Sequence, residues 1–176
     1  VFTNPSEETL TFYSHFGEDL GYYTEPLAEM EWTMVEDSTA NVLGYECIMA
    51  ESDYHGRHWK AWFAPEIPMS FGPWKLHGLP GLILKAEADG GFSFMATGLE
   101  HSDRIITPMY LQQDYAKVDR KKALENAEYF VNNEENIMNA QGQNMKIYTL
   151  DENGNKVEVP KYDGLKHSLE PDYKIK

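Results

Sequence analysis

The central part of the chain alternates apolar and polar residues with a period of two. In the segment EMEWTMVED, Met30, Trp32 and Met34 point to one side and acidic residues to the other. This alternation is typical of a half-buried antiparallel strand. The same period recurs in residues 44–51 and in Arg57–Ala64. The residues predicted to share a face in these two strands are Tyr45, Cys47 and Met49, and then Trp59, Ala61 and Phe63.

Short turn signals separate these runs, so the strands are predicted to form a meander. The segment SDYHG predicts a hairpin turn after the second strand. Asp89-Gly90 stands between LILKAEA and FSFMATGLE, and such a pair favours a type I′ turn because both central residues need positive φ. Asn153-Gly154 predicts a last hairpin in the same way.

The period changes to that of a helix after residue 119. Asp119 is a predicted N-cap, and Gly142 is a predicted end. Asn132 and Asn133 weaken the middle of the segment, so a short or broken helix is an alternative. The apolar residues at helical spacing are Ala123, Leu124, Ala127, Val131 and Met138.

These patterns predict a single domain over residues 1–176 of the mainly β (α+β) class. We expect a curved antiparallel meander sheet or an open barrel, with one packed C-terminal helix. Residues 1–26 are expected to be irregular, apart from TLTFYSHF as a candidate edge strand, and to be truncated, since the chain begins at Val1. The polar residues 161–176 are expected to form a loosely held tail.

The loop between the third and fourth strands, residues 65–81, combines chain-stiffening residues with a large apolar load. It contains four prolines, which cannot donate to a sheet ladder, together with three glycines. An ordered loop of this length must bury its apolar side chains. We therefore predict that it folds back over the open edge or mouth of the sheet and seals the core. Its apolar residues are Ile67, Met69, Phe71, Trp74, Leu76 and Leu79.

Composition narrows the range of partners. Hydrophobic residues make up 41% of the 176 residues, which is enough for a core. The net charge of −14 repels phosphate backbones and anionic lipid surfaces, so a nucleic-acid partner is excluded. A single cysteine allows no intrachain disulfide, and no apolar run approaches the roughly 20 residues of a transmembrane segment.

Several ordered motifs lie within roughly residues 25–128. The sequence GLPGLI occupies residues 78–83, preceded by GYEC at 44–47 and GRHWKAWFAPEIPMSFGPWK at 56–75. The motif residues are Gly78, Leu79, Pro80, Gly81, Leu82 and Ile83, with Arg57 and Glu66 in the flanking block. This ordered set resembles the GLPGLI family of envelope proteins from Bacteroidetes.

The resemblance implies a periplasmic or secreted protein made with a signal peptide and of undetermined function. We expect no cofactor. Some members look like neighbours of TonB-dependent receptors, which implies an outer-membrane receptor as a possible partner. The expected fold is distantly similar to the open β-barrel of lipoprotein carriers such as LolA.

Candidate catalytic and metal-binding residues are scattered along the chain. His55, His58 and His77 are conceivable metal ligands, but ordinary polar histidines are favoured because His55 and His58 point to opposite faces of a strand. Cys47, on an apolar strand face without a basic neighbour, is read as a core residue. The carboxylates that lie at turns and are read as structural are Asp53, Glu66 and Asp89. We therefore predict no metal site and no catalytic residue.

Two constellations remain as hypotheses. A salt bridge between Arg57 and Glu66 would fix the base of the loop, with two unrelated surface charges as an equal alternative. A set of large apolar residues forms either plain core or a pocket under the loop, with Trp74 and Leu79 gating access. These candidate ligand-binding residues are Trp59, Trp62, Phe63, Phe71, Trp74 and Leu79.

The predicted function is therefore non-enzymatic binding of a small apolar or peptide-like ligand under the 65–81 loop. An interaction module for an outer-membrane receptor, with an exposed apolar patch or an unpaired sheet edge, is the alternative.

Overall fold

The computed structural model describes residues 1–4, 8–27, 30–103 and 115–175. The strands are β1 (Phe2–Asn4), β2 (Thr9–Phe16), β3 (Asp19–Pro26), β4 (Thr33–Val42), β5 (Tyr45–Tyr54), β6 (Arg57–Ala64), β7 (Leu82–Ala88), β8 (Phe92–Met95), β9 (Ala116–Lys117), β10 (Thr149–Leu150) and β11 (Lys156–Val157). The helices are α1 (Arg120–Ala140), α2 (Gly164–His167) and a 3-10 helix (Pro171–Lys174).

The predicted meander is a five-stranded antiparallel sheet in the order β4-β5-β6-β7-β8. The β5–β6 turn lies at His55 and Gly56, which both have positive φ, as a type I′ turn requires. Between β7 and β8 the residues with positive φ are Gly90 and Gly91, so the hairpin is present but the predicted pair Asp89-Gly90 is wrong by one residue. The expected fold class, mainly β with one long helix, is confirmed.

Two register shifts bend this sheet. One lies between Met34 and Thr39 in the β4–β5 pair, and the other lies between Trp62 and Phe63 in the β6–β7 pair. A bulge adds an unpaired residue and increases the local twist, so the sheet curves. Its strands do not close into a barrel within the described residues, because β4 and β8 form its two edges.

The prediction for the first strand of the meander is wrong at its beginning. β4 starts at Thr33, so Met30 and Trp32 precede it, and the Met34 side chain is 47% exposed. The Trp32 indole instead donates to the carbonyl of His77, 2.8 Å away in the loop. The loop contact, rather than a sheet ladder, therefore positions Trp32.

The core consists of two main clusters on the two faces of the curved sheet. The 65–81 loop covers the face formed by Trp59 and Phe63, where Leu76 and Leu79 are almost completely buried. Burial of two leucine side chains stabilises the fold by about 3–6 kcal/mol in transfer free energy. The opposite face contains Val42, Cys47, Met49, Trp62, Ala64 and Leu84.

The expectation that residues 1–26 are irregular is wrong, although TLTFYSHF forms strand β2 as predicted, inside a sheet rather than at its edge. β2 and β3 pair over eight residues each in an antiparallel hairpin, and β1 and β9 flank them in a second sheet. Leu10, Phe16 and Tyr23 are buried there, and the rings of Phe12 and Tyr23 stack at 5.4 Å. Aromatic residues on both faces obscure the period-two pattern of this hairpin in the sequence.

Helix α1 is continuous, so the alternative of a broken helix is wrong. Asp119 caps it by accepting a hydrogen bond from the Lys122 N–H, and Gly142 follows its end with φ +86°. The Asn132 side chain donates to the carbonyl of Tyr162 and accepts from the N–H of the same residue. A tertiary contact thus compensates for the low helix propensity of asparagine.

The expectation of a loose tail over residues 161–176 is also wrong. The segment forms α2 and the 3-10 helix, and Glu170 and Tyr173 are only 3% and 4% exposed. Polar side chains are buried here through ion pairs, which composition does not reveal. Among the described residues, neither α-helix combines the length and apolar character of a membrane-spanning segment.

Candidate functional site

Six charged or titratable side chains meet between the N-terminal sheet (β1, β2, β3 and β9), the loop, α1 and the C-terminal segment. We name this set the ionic cluster. Its members come from β3, the β5–β6 turn, the loop, the first turn of α1 and the end of the chain. They are Glu25, His55, Lys75, Arg120, Glu170 and Asp172.

Lys75 lies at the centre of the ionic cluster, with a completely buried side chain. Its ammonium group contacts the carboxylates of Glu25 and Glu170, the latter at 2.7 Å. The rings of Tyr23 and Trp74 lie 4.8 and 5.5 Å from the same nitrogen. Removing an ammonium group from water costs several kcal/mol, and these carboxylates and ring faces offset that cost.

Arg120 connects three carboxylates from the first turn of α1. Its guanidinium lies 3.0 Å from Glu25, 2.7 Å from Glu170 and 2.7 Å from Asp172. Burial alone would lower the pKa of Arg120, but the hydrogen bond to Asp172 and the charges of Glu170 and Asp172 raise it. Arg120 is therefore a permanent cation that joins α1 to the C-terminal segment.

Glu170 has the most complete set of donors in the ionic cluster. Besides Lys75 and Arg120, the Tyr23 hydroxyl donates to it at 3.0 Å. Burial would raise the pKa of Glu170, but the positive charge of Lys75 and its hydrogen bond lower it. Conversely, burial and the charge of Glu170 raise the pKa of Tyr23, which stays a neutral donor.

His55 occupies the corner of the β5–β6 turn with φ +51°, a left-handed conformation that costs a non-glycine residue free energy. Its Nδ1 lies 3.1 Å from Asp172 and 3.0 Å from Arg120. Its Nε2 is 3.3 Å from a Glu25 oxygen, in a geometry that makes no hydrogen bond. Burial would raise the pKa of Asp172, but hydrogen bonds from His55 and Arg120 lower it well below its usual range.

The ionic cluster fits a joint between elements better than a metal centre. Glu25, His55 and Glu170 offer donor atoms within 4.8 Å of one another, a spacing that a cation could use. However, Lys75 already contacts both of these carboxylates, and Arg120 does the same. A metal ion would have to displace the ammonium group of Lys75, whose side chain is completely buried.

The six candidate ligand-binding residues do not share one pocket, so that grouping is wrong. Trp59, Phe63 and Leu79 belong to the core beneath the loop, with 2% exposure or less. Trp62 lies on the opposite face of β6, where the Lys85 ammonium is 4.0 Å from its ring centre. Sheet alternation separates Trp62 from its neighbours, and burial removes Leu79 as a gate.

Phe71 and Trp74 are the two that line a cleft. It has a volume of about 370 Å³ and lies between the loop and the N-terminal sheet. Trp74 stacks on the buried Trp59 at 5.4 Å, whereas the Phe71 side chain is 38% exposed. The residues around the cleft are Val1, Leu10, Phe71, Gly72, Trp74, Lys75, Leu76 and His77.

The proposed Arg57–Glu66 salt bridge is wrong, because the two residues lie at opposite ends of β6. Arg57 begins the strand, and the exposed Glu66 follows its end. A strand of this length separates them by roughly 25 Å. Arg57 instead contacts Asp89 at 3.8 Å and donates to the carbonyl of Ser168 at 2.7 Å.

The three candidate histidines have different polar partners. His55 belongs to the ionic cluster, His58 contacts Asp53 at 2.8 Å on the surface, and His77 Nδ1 is 2.8 Å from the carbonyl of Lys75. Asp53 and Asp89 both contact His58, while Glu66 lies far from them. Cys47 is buried, and that burial raises the pKa of its thiol.

Sequence reasoning identified only His55 of the ionic cluster. Its members are spread from residue 25 to residue 172, so no local spacing relates them. The one usable signal was Lys75, a charged residue between Trp74 and Leu76 in an apolar loop. Such a lysine has to be paired when the loop is buried.

Residues 54–85 match the family described as a protein of unknown function, Porph_ging. This segment comprises 32 of the 176 residues and includes the motif at 78–83. No curated protein matches the sequence.

Two crystal structures of PNGF-II, in the C2 and P21 space groups, have a similar fold. Their TM-scores are 0.53 and 0.56, and both are 17% identical in sequence to this chain. The match covers 70% of this chain and 23% of the PNGF-II chain. At this level of identity the similarity concerns the fold alone.

Proposed function

We propose that the protein is a non-catalytic binding protein that holds an apolar or peptide-like ligand in the cleft beside the 65–81 loop. The observation that carries this proposal is Phe71, a large aromatic side chain that is 38% exposed at the rim of a cleft of about 370 Å³. This volume lies within the range of small-molecule sites. Exposed aromatic side chains next to a cleft are typical anchors for ligands.

The loop supports a binding role because several contacts fix its backbone. Phe71 and His77 form a β-bridge, and the N–H of Ile83 donates to the carbonyl of Phe71 at 2.9 Å. Gly72 packs so closely on Ile83 that an added Cβ would lie 2.7 Å from it. A loop whose backbone is fixed by such contacts loses little conformational entropy when a ligand binds.

The proposed site lies between the loop and the N-terminal sheet, not between the loop and the meander. Leu76 and Leu79 fill the space against the sheet. Trp74 is shared between the core and the cleft, so its substitution would change folding and binding together. Phe71 is therefore the residue that tests the proposal.

The charge pattern supports binding rather than catalysis. The ionic cluster pairs its carboxylates with Lys75 and Arg120 and holds them away from water. The Cys47 thiol is completely buried. Neither arrangement offers an accessible nucleophile or proton donor within the described residues.

The test compares Phe71→Ser with Met95→Ser. Met95 is 58% exposed on the edge strand β8, so its substitution controls for general loss of exposed apolar surface. Native mass spectrometry of protein purified without detergent should reveal an added mass that denaturation removes. Phe71→Ser should lose this mass and bind the probe 1-anilinonaphthalene-8-sulfonate about fivefold to tenfold more weakly. Equal behaviour of both variants, with a clean apo mass, would refute the proposal.

An interaction module for an outer-membrane receptor is the second candidate, favoured by the apolar hairpin β10–β11. Tyr148 and Leu150 are 47% and 59% exposed on this hairpin. Its exposed apolar residues are Ile147, Tyr148, Leu150, Val157 and Val159. Photo-crosslinking from position 150 in the native envelope should capture one receptor that position 46, on an exposed part of β5, does not. Identical products from both positions would exclude the hairpin as the interface.

We also propose membership of the GLPGLI family and a periplasmic or secreted location. Support comes from the motif at 78–83 and its flanking motifs. Fractionation of cells that express the full-length gene product would test the location. Recovery in the cytoplasmic fraction alone would contradict it.

A further inference from the structure

The C-terminal segment, residues 163–175, lies in a groove formed by remote parts of the chain. It brings two acidic side chains, Glu170 and Asp172, on either side of Pro171. Both carboxylates enter the ionic cluster, whose other members all come from outside the segment. The segment thus contacts the rest of the protein in the manner of a bound acidic peptide.

The part of the groove that receives Glu170 and Asp172 carries more positive than negative charge. Without the C-terminal segment it contains Lys75 and Arg120 against the single carboxylate of Glu25, whereas Arg57 is paired with Asp89 and Glu128 lies at the other end of the groove. The whole chain carries a net charge of −14. Such a local excess of buried cations requires an anionic occupant.

Separate sets of hydrogen-bond donors bind the two carboxylates in this groove. Glu170 accepts hydrogen bonds from Tyr23 at 3.0 Å and Arg120 at 2.7 Å, and it contacts Lys75 at 2.7 Å. Asp172 accepts from Arg120 at 2.7 Å and lies 3.1 Å from His55 Nδ1. The spacing of i and i+2 across a proline is therefore built into the positions of the donors.

The groove also contacts the backbone of its occupant. The Arg57 guanidinium donates to the carbonyls of Leu165, Lys166 and Ser168 at 3.0, 3.0 and 2.7 Å. Gly56 allows close approach, because an added Cβ would lie 3.1 Å from the nitrogen of Asp172. These contacts hold the backbone of the occupant at α2 and at residues 168–170, just before the 3-10 helix.

The connection to the segment allows it to leave without opening a sheet. Residues 158–160 precede it as exposed chain without helix or strand. On the far side, Tyr173 donates to Glu128 of α1 at 2.8 Å, which adds a second anchor. Tethering gives the segment an effective concentration on the order of millimolar, so it occupies the groove unless a stronger competitor is present.

We propose that this groove is a docking site for acidic peptide segments of a partner protein, with carboxylates at positions i and i+2, and that the C-terminal segment occupies it in cis. This site shares Lys75 with the cleft at Phe71, but it uses other contacts and does not depend on the function proposed above. A partner that presents the same pattern displaces the C-terminal segment and makes residues 163–175 available outside the fold.

The test uses the whole chain, cut once. A protease recognition sequence inserted between Pro160 and Lys161 allows cleavage in exposed chain, after which all residues remain present. A fluorescein-labelled peptide SLEPDY, corresponding to residues 168–173, is then added, and its fluorescence anisotropy is measured. The matched control is the same peptide with E170Q and D172N, so that the peptide is varied and the host protein is not.

We expect the cut protein to stay folded by circular dichroism and to bind SLEPDY, with the uncut protein binding it far more weakly. Each lost carboxylate removes charge-assisted hydrogen bonds, so the control peptide should bind at least about 100-fold more weakly. Equal binding of both peptides would overturn the proposal, since the two carboxylates would then contribute nothing to the affinity. Unfolding on cleavage would also overturn it, because the segment would then be an inseparable part of the core.

A second copy of the chain is the other conceivable occupant. A dimer of the uncut protein that grows with concentration, and that E170Q with D172N abolishes, would assign the groove to exchange between copies. That result would overturn the assignment to a foreign partner.

Discussion

Replacement of Glu170 by glutamine perturbs the ionic cluster at its most connected point. Glutamine keeps the volume of the side chain but removes its negative charge. Lys75 and Arg120 would each lose one of their carboxylate partners, and the Tyr23 hydroxyl would lose a charged acceptor. The substitution therefore isolates the contribution of one buried charge to the joint between the two sheets, α1 and the C-terminal segment.

The expected cost follows from burial. The Glu170 side chain is 4% exposed and the Lys75 side chain 0% exposed, so water cannot replace the lost interaction. Removal of one partner from a buried ion pair costs about 3–5 kcal/mol. A domain has a total stability of roughly 5–15 kcal/mol, so the loss is a large fraction of it. For a chain of this length the melting temperature should fall by about 6–20 °C.

Urea unfolding at pH 7, followed by far-UV circular dichroism, measures the free energy of unfolding of the wild type and of Glu170→Gln. Glu158→Gln provides the control, because Glu158 is exposed and should change stability by less than about 0.5 kcal/mol. A Glu170→Gln variant within about 0.5 kcal/mol of the wild type would refute the reasoning. It would mean that the cluster contributes no more than surface ion pairs do.

Three further substitutions or conditions have defined outcomes. The pKa values of Glu170 and Asp172 are lowered in the folded state, so the stabilisation from these two carboxylates is present above their unfolded-state pKa values of about 4 and is lost as pH falls below those values. Urea titrations at pH 7, 5 and 3.5 measure this loss of stability. Unchanged stability at pH 3.5 would contradict the prediction. Gly81→Ala should lower the free energy of unfolding by about 1–3 kcal/mol, because the added Cβ would lie 2.3 Å from a carbonyl oxygen at the end of β6. Gly98→Ala, with open space around it, is the control in the same thermal denaturation experiment. Equal melting temperatures of the two variants would disprove the clash. Trp74→Ala should lower the free energy of unfolding by about 2–3 kcal/mol, since the Trp74 ring stacks on the buried Trp59 at 5.4 Å. If the variant unfolds at the same urea concentration as the wild type, Trp74 belongs to the cleft alone.

Local pattern was sufficient for the central meander. Strands β6 and β7 have the bounds that alternation and turn signals predict, and Asp119 and Gly142 delimit α1 as expected. Each of these features depends on residues within a few positions of one another. Backbone sterics, side-chain alternation and capping decide them before any tertiary contact forms.

The candidate site was accessible to sequence reasoning only in part. Phe71 and Trp74 were identified as candidates, but which of the aromatic residues is core and which faces the cleft depends on the path of the loop over the sheet. The pairing of Arg57 was misjudged, because sequence proximity to Glu66 suggested a contact that the length of β6 prevents. Its true partners are carbonyls more than 100 residues away.

The sequence by itself determined the antiparallel meander, the long capped helix and the sealing role of the 65–81 loop, because periodicity and turn chemistry are local properties. Tertiary structure alone decided the order of the N-terminal hairpin, the anchoring of the C-terminal segment and the assembly of the ionic cluster. Glu25, Lys75, Arg120 and Glu170 carry no shared pattern in the sequence. A buried charge must find an opposite charge wherever the fold brings one, and only the folded chain specifies which one that is.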